Sequence, residues 1–228
     1  MGSPKPIGQF IEASRNAIWA TVAVWALLAA LPADAIDVKL TLDEAKKILE
    51  ESRSVMEKAG QAANAKDELD RIRKLASAAA LVGADPEKDP CGTSAVLFTK
   101  RFRLSEFGRK EATESKAQNR DVRMPDEFIK KLLDIPNLEV GLQFCGDDEY
   151  FAEGAQVVIQ QGSKNVKPVD MGKPSKGRAI SKEGPPYRTN LSARFAYPSF
   201  DPAGKAKFII TLMDGKMLEV DADFSKVR

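Results

Sequence analysis

The run from Ala17 to Ala35 constrains this chain more than any other stretch. It is mainly apolar and uncharged apart from Asp34 near its end, contains Trp19 and Trp25, and closes in the small-residue box Ala33, Asp34, Ala35. A secretory signal needs a basic start, an apolar segment of roughly 7 to 15 residues and an A-x-A-like site, whereas a spanning helix needs about 20 apolar residues. Residues 17–31 fit the first length, and Pro32 breaks the helix ahead of the box. The two tryptophans equally suit a membrane interface, where amphipathic rings gather at headgroup level. Residues 1–35 are therefore expected to be a cleaved signal peptide or a retained membrane anchor, with membrane contact through residues 17–35 if uncleaved. Lys5 and Arg15 keep the N-terminus on the cis side by the positive-inside rule, so the chain from Ile36 onward is expected on the trans side. That makes it exported and extracytoplasmic, in a periplasm or a thylakoid-lumen-like space.

The 228 residues carry a formal net charge of +2, far from the balance of a polyanion binder, and contain no histidine. The missing imidazole removes Ser-His-Asp and Cys-His nucleophile pairs and the usual histidine metal sites. No G-x-G-x-x-G, Walker A or G-x-S-x-G pattern occurs. No cofactor is expected, and a catalytic role would have to rest on carboxylates, Lys, Tyr or Ser alone. Cys91 and Cys145 are compatible with one disulfide in an oxidising compartment, and equally with two separate thiols.

After the export segment, residues 36–83 read as a helical hairpin. Thr41 and Glu44 form a capping box, Leu42, Ala45, Ile48, Leu49, Val55, Met56 and Ala59 follow at helical spacing, and Gly60 offers a left-handed stop. Asn64 is a candidate cap for a second helix through Leu69, Ile72, Leu75, Ala76 and Ala79, closed by Gly83 and Pro86. Residues 84–228 read as an α+β domain. Alternation from Val96 to Leu104 predicts a strand in which Lys100 is the one misfit, and the charged stretch Gly108 to Arg123 predicts a mobile linker or a solvated helix. Pro125 opens a short helix through Leu133. Strands are expected over Leu138–Phe144, Gln156–Gln161, Leu191–Tyr197, Phe208–Leu212 and Leu218–Phe224. Together these give an α+β fold: an N-terminal export or anchor helix, a helical hairpin, then a mainly antiparallel sheet of about five or six strands with one short helix. For the last hairpin, burial dictates a three-residue loop of Met213, Asp214 and Gly215, placing Ile210 opposite Leu218 and Phe208 opposite Val220.

Two surface features stand out. Asp147, Asp148 and Glu149 cluster oxygen ligands without EF-hand spacing, which reads as a solvated turn. The segment Gly162 to Arg188 carries Lys164, Lys167, Lys173, Lys176, Arg178, Lys182 and Arg188 against only Asp170 and Glu183. A long basic loop of this kind is a candidate partner-binding element, although its Pro and Gly content also fits a plain solvated loop. Nucleic acid is not expected as a partner, because only Tyr187 lies within the segment to stack a base. The sequence thus predicts a non-catalytic interaction protein on the trans side of a membrane, an extrinsic or accessory subunit whose protein partner lies in or at that membrane. The alternative is an exported carrier or binding module for a small apolar ligand.

Overall fold

A computed structural model describes residues 36–181 and 184–227. The expected export segment, with Trp19 and Trp25, lies outside these residues, and among the described residues no helix is long and apolar enough to cross a membrane. Helix α1 (Leu42–Gly60) begins at the expected box: the Thr41 hydroxyl accepts from the Glu44 amide at 3.3 Å, and the Glu44 carboxylate accepts from the Thr41 amide at 2.8 Å. It ends without a left-handed glycine, since the cap residue Gln61 stays right-handed at φ −99°. Helix α2 (Ala65–Ala79) follows and lies against α1. Asn64 stands at its N-cap but its side chain makes no capping bond, leaving only the Asn64 carbonyl to accept from the Glu68 amide. No residue of α2 is fully buried.

The expected strand from Val96 to Leu104 is half strand and half helix. Strand β1 (Leu81–Gly83) pairs with β2 (Ser94–Phe98), and then Thr99 caps a helix by accepting from the Phe102 amide at 3.0 Å. Helix α3 (Lys100–Gln118) extends through much of the charged stretch, in line with the helical of its two expected readings, to a left-handed Asn119. Its buried side is Leu104, Gly108, Glu111 and Ala112, at a helical spacing that the surrounding charges conceal. Lys100, a misfit in a strand, fits here: its ammonium donates to the Leu133 carbonyl and lies 5.4 Å from the Tyr197 ring centre, while burial pushes its pKa down. Glu111 is likewise used internally, accepting from the Met124 amide at 2.6 Å. Gly108 is the point of closest approach to α1, because a methyl group there would stand 2.3 Å from the Leu49 carbonyl oxygen. Helix α4 (Asp126–Leu133) completes the layer, and Ile129 and Leu132 join Ala45, Ile48, Leu49 and Leu104 in one apolar cluster.

The strands form two antiparallel sheets instead of the single sheet expected. One runs β1-β2-β3-β8-β6 with β7 also on β8, where β3 is Asn137–Gly146, β6 Asp170–Met171, β7 Arg178–Ser181 and β8 Gly184–Ala196. The other runs β10-β9-β4-β5, with β4 Gln156–Gln161, β5 Lys164–Val166, β9 Lys205–Thr211 and β10 Met217–Asp223. Strand alternation specifies which side is buried but not which strand is the neighbour. Here β4 pairs with β9, and β3 pairs with β2 and β8. Leu138, Val140, Leu142, Phe144, Leu191 and Phe195 of the first sheet share a core with Val157, Ile159, Phe208, Ile210 and Val220 of the second. Phe195 and Phe208, 6.3 Å between ring centres, join the two.

The last hairpin has the expected register. Ile210 pairs with Leu218, Phe208 with Val220 and Lys207 with Asp221, the Leu212 amide donates to Lys216 at 2.9 Å, and Gly215 has φ +85°. Leu218 is only half-buried at the rim of the core, and the Lys207 ammonium reaches diagonally to Glu219 at 2.6 Å instead of across to Asp221. Because a side chain at Gly215 would meet left-handed strain in open space, Gly215→Ala is expected to cost about 1 kcal/mol. A lowered urea midpoint with an unchanged slope would record it.

Candidate functional site

The basic segment expected to be an irregular loop is an interrupted edge strand. After the β4–β5 turn at Gly162, the chain runs along β8: the Val169 amide donates to Arg194 at 2.8 Å, Gly172 to Ser192 at 2.8 Å and Ser175 to Asn190 at 3.1 Å, before Arg178 pairs with Arg188. Thr189, fully buried, donates to the Ser175 carbonyl. Pro168 and Pro174 interrupt the ladder, as proline can at an edge where its missing N–H leaves no partner unmet. These prolines, with Lys167 and Lys173 beside them, also blunt the edge against pairing with a second chain.

The basic residues do not gather into one patch. Lys164 lies in the second sheet and donates to the Ser199 carbonyl at 2.6 Å. Lys176 pairs with Glu149 at 2.5 Å, which raises its pKa, and lies 5.4 Å from the Tyr150 ring centre. Lys167 and Lys173 are exposed and Lys182 lies outside the described residues. Only Arg178 and Arg188 are brought directly together, as opposed residues of β7 and β8. Both are exposed, and neither has a carboxylate partner among the described residues. Their surroundings sharpen the point. Along the same face of β8, Arg188 stands opposite Cys145, Asn190 opposite Gln143 and Arg194 opposite Glu139. At the Arg194 end the charges are matched: Glu139 takes Arg103 at 2.9 Å and Arg194 at 3.4 Å, and Asp170 takes Arg194 at 3.0 Å. At the Arg188 end no described carboxylate matches them. The pairing of β8 with β3 stops at Tyr187, so residues 184–186 run on with β7 alone, all four of whose residues are exposed.

Cys91 and Cys145 form a disulfide beside this ribbon, with α-carbons 5.3 Å apart. It fastens the loop after β1 to the far end of β3, and Asp89 shapes that loop by accepting from the Gly92 amide at 2.8 Å and the Cys91 amide at 3.2 Å. The acidic turn is held internally: Asp148 accepts from the Tyr150 amide at 2.7 Å, and Glu149 takes Lys176. Among the described residues, no group of His, Cys, Asp and Glu is placed to hold a metal ion.

A second surface lies among the helices. A cleft of about 370 Å³ opens between α1, α2 and α3, lined by Met56, Leu69 and Ala112 with Arg73 and Lys116 at its margin. It continues past Arg73 and Thr113 toward Phe107. The sequence signals the apolar stripe of α2 but not this opening, which depends on where α3 crosses α1. The sequence signals Arg178 and Arg188 as charges but not as a strand pair. The prolines on either side disguised the hairpin as a loop.

No protein-family model, curated protein or solved structure matches this chain.

Proposed function

We propose that this chain is a non-catalytic interaction protein of an oxidising, extracytoplasmic compartment, acting as an accessory subunit of a membrane-bound complex. One observation carries the reading: the β7–β8 ribbon of the first sheet holds two exposed arginines, Arg178 and Arg188, with no carboxylate partner among the described residues, while the arginines at the opposite end are neutralised by Glu139 and Asp170. The disulfide is compatible with such a compartment. Exposed charge left unmatched on a rigid frame steers association and gives specificity to a partner of opposite sign. The proposal is tested by purifying the native protein from its membrane at low and high salt and identifying the proteins that accompany it. A defined complex that dissociates as salt rises is expected. A protein that elutes alone, with a bound small molecule, would count against it.

The helical cleft supports a second reading, a carrier for a small apolar ligand, because its volume lies within the roughly 300 to 1,000 Å³ typical of ligand sites and its lining is mainly apolar. On that reading Leu69→Glu abolishes binding of a fluorescent apolar probe, and mass spectrometry of the native protein finds a bound molecule. On the accessory-subunit reading neither result appears.

A further inference from the structure

We infer that the β7–β8 ribbon is the docking site for an acidic, extended segment of a protein partner, with Arg178 and Arg188 as its anchors. The inference rests on the accessory-subunit reading and adds the chemistry of the partner. Directly opposed residues of antiparallel strands point to the same face with α-carbons about 4.5 to 5.5 Å apart, and like charges so placed repel. Edge protection accounts for Lys167 and Lys173 but not for this pair, since one charge suffices to blunt an edge and Arg188 lies on the inner strand. Each guanidinium offers a planar fork that matches a carboxylate in bidentate fashion, so two carboxylates would turn the repulsion into two charge-assisted contacts. An extended Glu-x-Glu segment presents alternate side chains on one face about 7 Å apart, a span that lets one carboxylate meet each guanidinium. Ile180, 38% exposed and two residues from Arg178, adds apolar surface to the ribbon, whereas Tyr187, paired with Ala179, lies on the other face. Arginine is among the residues a protein interface uses as anchors, and two guanidinium forks at strand-pair spacing match carboxylates spaced along an extended chain, which favours an acidic protein segment over a lipid headgroup.

The test uses the full chain and a fluorescein-labelled synthetic peptide of Glu-Val repeats, followed by fluorescence anisotropy at low salt. Binding to the wild type is expected. The Gln-Val peptide and the R178Q/R188Q variant should each weaken it by at least about tenfold. K167Q/K173Q removes the same amount of charge and should weaken it by no more than about threefold. R178E/R188E should lose the Glu-Val peptide and gain a Lys-Val one, a reversal that only a folded ribbon can give. Equal losses in the two neutralised variants, no binding by the wild type, or the same arginine dependence seen only on phosphatidylglycerol vesicles would each overturn the inference. A native partner retained by R178Q/R188Q overturns it while leaving the accessory-subunit reading in place, whereas the absence of any partner for the wild type overturns that reading itself.

Discussion

Gly108→Ala is expected to destabilise the protein by about 2 to 3 kcal/mol, and Gly108→Val by more. The sign is the informative part. In an exposed helix the alanine would stabilise by roughly 1 kcal/mol, because glycine is the poorer helix former. At Gly108 the added carbon would stand 2.3 Å from the Leu49 carbonyl oxygen and 3.0 Å from its carbon, and both belong to the backbone of α1. Neither atom can swing aside as a side-chain tip would. The helices must separate, which loosens the apolar contacts of Leu104 with Ala45, Ile48 and Leu49. Urea denaturation measures the loss, and a stabilised Gly108→Ala variant would show that α3 does not press on α1 as described.

The second large effect concerns the disulfide. Cys91 and Cys145 are separated by 54 residues, and in the chain-entropy account closing a loop of that length stabilises by about 4 kcal/mol. Cys91→Ala with Cys145→Ala should therefore lower the melting temperature by about 10 °C in a protein of this size. The loss should act mainly through the unfolded chain, since β1 and β2 remain paired and Asp89 still shapes the loop between them. The acidic-peptide binding proposed for the ribbon should accordingly change little. Equal melting temperatures with and without the bond would contradict this account of its role.

What could be read from the sequence divides along physical lines. Local, short-range chemistry was legible: the Thr41 and Glu44 box, the alternation of Leu138 to Phe144, and the Gly215 hairpin, where one register buries the apolar face and the other does not. Partner choice between distant strands was not, because Val157 and Ile159 satisfy their alternation equally well beside β3 or beside β9. Thr99 is a cap that the alternation hides. With Val96 and Phe98 before it and Phe102 and Leu104 after it, apolar residues at every second position imitated one strand across a strand-to-helix junction. Composition marks the basic segment, but the pairing of Arg178 with Arg188 depends on hydrogen bonds to Arg194, Ser192 and Asn190 that lay the chain along β8. Residues such as Lys176 and Glu111, conspicuous as charges, turned out to be occupied within the fold.

Site-specific photo-crosslinking in the native membrane tests the partner-binding account most directly. A photoreactive residue replacing Ile180 on the ribbon, compared with one replacing the exposed Met217 on the other sheet, separates docking from chance collision. The account predicts one discrete adduct from position 180, formed with a membrane-complex protein through an acidic segment, lost in R178Q/R188Q and absent from position 217. Identical adducts from both positions, or an adduct at 180 that survives removal of both arginines, would contradict it.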